Sequence, residues 1–114
     1  MNQGVTTVIY PVRDIATATT LFTRLLGIEP FANAPYYVGY KVANQDIGLD
    51  PNGHKQGMTG PIAYYEVSDI KGTLQSLVDA GGQVQQDVKD VGGGKLIAWV
   101  KDIDGNAIGL MQTP

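Results

Sequence analysis

Glu66 follows Tyr64 and Tyr65 in a run of aromatic and apolar residues. A carboxylate beside apolar walls holds its proton more tightly, and can then serve as a general base. Trp99 alternates with Ile97 and Lys101 along a second run, and that mixture suits a cavity wall or an interface. An aromatic wall with one carboxylate suits a small, partly apolar ligand, and a cationic one above all. The competing reading is core packing, which Tyr, Trp and Met also serve in small β folds. Tyr36, Tyr37 and Tyr40 form a second aromatic group. On a strand, Tyr36 and Tyr40 share one face and Tyr37 takes the other, and at least one of them is expected to contact a cavity or a partner chain.

The remaining chemistry-bearing residues point to few reactions. His54 is the single histidine, and it lies in a polar loop, where a solvated side chain is the ordinary outcome. One His and no Cys exclude multi-His metal sites, thiolate zinc sites, iron–sulfur ligation and disulfides. Gly92-Gly93-Gly94-Lys95 lacks the Ser or Thr and the following helix of a phosphate loop, and reads as a flexible rim loop. Asp102-Ile103-Asp104-Gly105-Asn106 has its glycine too early for a calcium loop and reads as a hairpin turn. The net charge of -3 and scattered Lys and Arg argue against nucleic acid as a partner. No apolar run is long enough for a membrane span, so no membrane partner is expected. Met1-Asn2-Gln3-Gly4 has no basic and apolar leader pattern, and the expected location is cytoplasmic.

These residues need elements to position them. At 114 residues, with 43% hydrophobic and 17% charged, the chain is sized for one folded domain with a real core. Val5 to Pro11 reads as a strand. A helix runs from Asp14 or Ile15 to Leu26, with Asp14 as the candidate cap and Gly27 as the stop. Strands follow at Tyr36 to Val42 and Gln45 to Asp50. Residues 51–60 form a linker. The second half reads as a strand Ile62 to Val67 and a helix capped by Ser68 or Asp69 and ended by Gly81-Gly82. Strands Gln83 to Val88, Lys95 to Lys101 and Ala107 to Met111 complete it. Leu96, Ala98 and Val100 are purely aliphatic and are expected under a helix, which leaves Trp99 on the other face.

The order is strand, helix, then up to three strands, stated twice. Val12-Arg13-Asp14-Ile15 matches Val67-Ser68-Asp69-Ile70, and Ile47-Gly48-Leu49 matches Ile108-Gly109-Leu110. With the ending Asp102-Ile103-Asp104-Gly105-Asn106, where Ile103 stands in place of the usual proline, the chain resembles the vicinal oxygen chelate superfamily. That superfamily includes glyoxalase I, extradiol dioxygenases and bleomycin- and fosfomycin-resistance proteins. The resemblance implies an α+β fold of tandem βαβββ modules. Their curved, partly closed mixed sheet surrounds a cavity, with the helices outside. It spans a single domain over 1–114, with module one at about 1–52, the linker at about 51–60 and module two at about 61–114.

The resemblance also implies where metal-dependent members place their ligands, on the first and last strand of each module. Those positions fall on Thr7, Gly48, Ile62 (or Pro61) and Gly109. None is His or Glu, so no metal and no cofactor is expected. Taking alternate residues inward from these positions, the expected ligand-binding set is Thr7, Ile9, Tyr40, Ile62, Tyr64, Glu66, Trp99, Gly109 and Met111. The expectation is a metal-free small-molecule-binding protein that binds or sequesters an aromatic or cationic compound. One alternative is a cofactor-independent isomerase, epimerase or lyase, with Glu66 as its catalytic base and Tyr64 or Tyr10 as a hydrogen-bond donor. The other is a structural or assembly module whose Trp99 and tyrosines form an interface. A homodimer is expected in each case, because sheets of this kind leave edges that a second copy can cover.

Overall fold

The computed structural model describes residues 2–114. Its elements are β1 (Asn2–Pro11), α1 (Ile15–Leu26), β2 (Ala32–Ala34), β3 (Tyr37–Val42), β4 (Gln45–Asp50), β5 (Ile62–Val67), α2 (Ile70–Asp79), β6 (Gln83–Asp90), β7 (Leu96–Lys101) and β8 (Ala107–Gln112). A 3-10 turn covers His54–Gln56. This is βαβββ stated twice, an α+β fold. The chain divides into two compact units, residues 7–62 and residues 63–114 with 2–6. β1 therefore contributes its first residues to the second unit and its last residues to the first.

Both units use the same strand order. In the first it is β2-β3-β4-β1, and in the second β6-β7-β8-β5. The first strand of each module lies parallel to the last, with Ile9 opposite Gly48 and Tyr64 opposite Gly109. The other pairs are antiparallel, with Gly39 opposite Gly48 and Trp99 opposite Gly109. β2 is a strand that hydrophobic patterning does not reveal. Ala32, Asn33 and Ala34 carry no alternation, and antiparallel pairing with β3 draws them into the sheet.

The helices cap as their sequences require. The Asp14 carboxylate accepts from Ala16 N at 3.1 Å and Thr17 N at 3.2 Å. Gly27 closes α1 in the left-handed region at φ 72 and donates to the Thr23 carbonyl. Asp69 caps α2 through Gly72 N, and the Gln112 side chain accepts from Ile70 N at 2.8 Å. Each helix covers one face of the strands of its own unit, within a single eight-stranded mixed sheet. α2 buries Ile70 and Leu74 against Val67, Ala98, Val100 and Leu110. α1 lays Ile15, Ala18, Phe22 and Leu26 on Val38, Tyr40 and Leu49. It buries no residue fully, and it leaves Leu21 and Leu25 65% and 71% exposed. The chain from Asp102 to Asn106 is a turn: Asp102 accepts from the backbones of Asp104 and Asn106 and from the Asn106 side chain. Gly105 supplies the positive φ, 84. Among the described residues, no helix is long and apolar enough to cross a membrane.

Candidate functional site

The far face of each sheet, turned away from its own helix, carries most of the expected site residues. Strand parity explains why. Tyr10, Val38, Tyr40, Ile47 and Leu49 belong to the α1 cluster. Thr7, Ile9, Gly39, Lys41, Asp46 and Gly48 alternate with them and take the far face. In the second unit, Val67, Ala98, Val100 and Leu110 pack on α2. Tyr64, Glu66, Trp99, Gly109 and Met111 alternate with these.

In the second unit, Tyr64, Gly109 and Trp99 form one row across β5, β8 and β7. Glu66, Met111 and Ile97 form the next. Tyr64, Trp99 and Met111 are each 5% exposed. A Cβ on Gly109 would stand 2.5, 2.7 and 2.9 Å from Tyr64 Cδ2, Cγ and Cε2. The Tyr64 ring therefore lies on the bare backbone of Gly109. Glu66 is half-buried, and its Oε2 accepts from Thr113 N at 2.9 Å and Thr113 Oγ1 at 3.1 Å. The carboxylate is thus held at the end of the strand by the C-terminal segment.

In the first unit, the equivalent row is Ile9, Gly48 and Gly39. Two facing glycines leave a wider gap, and the Tyr37 ring fills it from along β3. Tyr37 Cε2 lies 3.0 Å from the place of a Gly39 Cβ, and its hydroxyl oxygen and Cζ crowd the place of a Gly48 Cβ together with Ile9 Cδ1. Phe31 Cε1 lies 3.2 Å from the place of the same Gly39 Cβ. The next row is Thr7, Asp46 and Lys41, with Thr7 3% exposed. Lys41 Nζ pairs with Asp46 Oδ1 at 2.9 Å and lies 5.2 Å from the Phe31 ring centre. Burial pushes the Tyr37 hydroxyl above its ordinary pKa of 10.0, and the charges of Asp46 and Asp50 push it the same way.

Ile62 begins β5 and is fully buried. Tyr40 does not join the far face. It is fully buried on the α1 side, where its hydroxyl donates to the Thr19 carbonyl at 3.1 Å and meets Thr23 Oγ1 at 2.9 Å. Tyr10 is on that side too, its ring 4.9 Å from Phe22. Tyr40 as a ligand contact and Tyr10 as a donor are thus both placed against α1. Alternation alone could have marked Tyr37 instead, since it shares parity with charged Lys41 while Tyr40 shares parity with Val38 and Val42. His54 stands in the 3-10 turn, with a buried Nδ1 that has no hydrogen-bond partner.

The residues at the four implied metal positions do not fit a divalent ion. Gly48 and Gly109 have no side chains, and tyrosine rings hold the space above both. Ile62 cannot ligate, and Thr7 offers one hydroxyl. Among the described residues, no group of three His, Cys, Asp or Glu could hold a metal.

The comparisons agree with this architecture. The fold is similar to that of a structure described as an NAD-dependent benzaldehyde dehydrogenase from Legionella pneumophila, with TM-score 0.74, 13% identity, and 95% of this chain and 98% of that one covered. A glyoxalase/bleomycin resistance protein/dioxygenase superfamily member from Vibrio splendidus 12B01 gives TM-score 0.72 at 18% identity, over 99% and 100%. Methylmalonyl-CoA epimerase from Mycobacterium tuberculosis gives 0.70 at 17%, over 99% and 89%. At these identities the likeness is one of fold. No curated protein matches the chain. The family model for Glyoxalase/Bleomycin resistance protein/Dioxygenase superfamily matches residues 4–110, and the chain belongs to that superfamily.

Proposed function

We propose that the protein binds a small, partly apolar organic molecule without a metal ion. One observation carries this reading: at both last-strand positions a glycine bears a tyrosine ring in place of a ligating side chain. Around Tyr64 the far face is aromatic and apolar with Glu66 as its carboxylate, and around Tyr37 it adds Thr7, Lys41 and Asp46. That composition suits orientation of a small molecule by one or two hydrogen bonds. A thermal-shift screen against zinc, nickel, cobalt and manganese ions, beside aromatic amines, acids and alcohols, tests it. The expected result is a raised Tm with at least one organic class and none with the metals. A ligand at a hundred times its Kd adds about 2.7 kcal/mol to stability. A clear shift with a metal alone overturns the reading.

A second reading, a cofactor-independent epimerase or isomerase, is favoured by Glu66. It sits one row from Tyr64, and Thr113 fixes its orientation. Methylmalonyl-CoA epimerases are among the structures that share the fold. In this reading Glu66 removes a proton next to a carbonyl, and Tyr64 stabilises the oxygen that gains charge. Glu66→Gln should then abolish exchange of that proton with solvent deuterium while leaving binding within about threefold. Unchanged exchange in the variant removes Glu66 from the chemistry.

A further inference from the structure

We infer that Tyr37, lying on the paired glycines Gly39 and Gly48, is the group that selects ligands by charge in the first unit, in favour of a ligand bearing an ammonium or other N–H donor and against an anion. This rests on the small-molecule reading above and adds a site and a ligand class to it.

Gly39 and Gly48 face each other across β3 and β4, and both are buried. A side chain at Gly48 would run into the Tyr37 hydroxyl end, and one at Gly39 would press on the ring. The glycines therefore leave room for the ring on the sheet, with its hydroxyl over Gly48. The polar groups around that ring come next. Asp46 shares the far face with Gly48, and Asp50 lies two residues beyond Gly48 on the same strand. Both are half-buried, and their charges add to burial in raising the Tyr37 hydroxyl above its ordinary pKa. A phenol on a face that carries carboxylates two residues to either side of Gly48 keeps its proton, and its neutral oxygen can accept from an N–H donor. An anionic ligand there would meet like charges, and a cation would meet opposite ones.

The face already holds an ammonium of its own. Lys41 Nζ lies between the Asp46 carboxylate and the Phe31 ring, on a side chain that is 65% exposed. An exposed ion pair and an exposed cation–π contact are each weak. A ligand ammonium can therefore displace Lys41 at little cost. Phe31, which also approaches Gly39, thus offers its ring face to that ammonium position.

The test follows amide chemical shifts of the labelled protein by NMR, with benzylamine, benzyl alcohol and benzoate as probes of one size and three charges. The expected result is benzylamine perturbing Gly39, Gly48 and Asp46, with a Kd about tenfold below that of benzoate. Tyr37→Phe keeps the ring and should weaken benzylamine several-fold. Lys41→Gln removes the competitor and should tighten it, which a purely structural role for Lys41 would not do. Benzoate binding as tightly as benzylamine, or a Tyr37→Phe variant indistinguishable from the parent, overturns the inference. If benzyl alcohol binds and charge makes no difference, the small-molecule reading stands and the selection fails. If none of the three binds, both fall.

Discussion

The two units share strand order and register, yet they fill the same gap by different means. In the second unit the row reads Tyr64, Gly109, Trp99, and the ring comes from the first strand of the module. In the first unit it reads Ile9, Gly48, Gly39, and the ring comes from Tyr37, two residues along β3. One solution is mostly apolar, with Met111 and Ile97 in the adjoining row beside a single carboxylate, Glu66. The other is polar, with Asp46, Lys41 and Thr7 there. A duplicated scaffold thus separates packing from chemistry: the backbone dictates that each glycine be covered, and the source of the ring decides which polar groups adjoin it.

The largest expected effect sharpens the contrast between helices. Leu74→Ala empties a buried position under α2 and should cost about 3 kcal/mol in urea unfolding, within the usual range for core truncation. Leu21→Ala on the exposed side of α1 should change stability by less than about 0.5 kcal/mol. Comparable losses from both would mean that α1 is covered in solution. Next comes the ring seat. Gly109→Ala drives a Cβ into the Cγ end of Tyr64, close to where the ring is anchored, and should cost about 2 to 3 kcal/mol. Gly48→Ala meets the ends of Tyr37 and Ile9, which can swing aside, and should cost about 1 kcal/mol. The reverse order would break the comparison between the two seats.

Tyr40→Phe removes a buried hydroxyl that ties β3 to α1, and should cost about 1 kcal/mol. In the second unit the matching position is Val100, which makes no such tie. The smallest effect is one of pH. The folded state holds the Tyr37 proton more tightly than the unfolded chain, so its contribution is complete below pH 10.0 and is lost as pH rises through the raised value. Tyr37→Phe should flatten the alkaline limb of the stability curve, and a difference titration of parent against variant should show a phenol ionising late. At the acid end, hydrogen bonds from Thr17 lower Asp14, and those from Asn106 lower Asp102. Their contributions are present above the ordinary carboxylate pKa of 3.8 and are lost as pH falls through the lowered values.

Much of the fold was legible because the chain states its pattern twice. Helix bounds at Asp14 and Gly27 follow from capping chemistry, and the aliphatic set Leu96, Ala98 and Val100 named the helix-facing side of β7. β3 was harder. Alternation divides a strand into two sets but does not say which one meets the helix, and both sets of β3 hold a tyrosine. The charge of Lys41 breaks the tie in favour of Tyr37 on the far face. β2 was invisible, since three residues between Pro30 and Pro35 show no period. The ring seats were hidden too. A glycine in a strand shows that something comes close, but only coordinates name the visitor.

β1 belongs to both units, and that governs how the chain can be cut. Cleavage between Ile62 and Ala63 would leave residues 2–6 on the wrong fragment. A C-terminal piece expressed alone would lack the short strand segment with which it clusters. Circular permutation offers a cleaner route. Joining the ends and opening the chain between residues 6 and 7 returns that segment to residues 63–114 in one continuous stretch. The first unit would then start at Thr7.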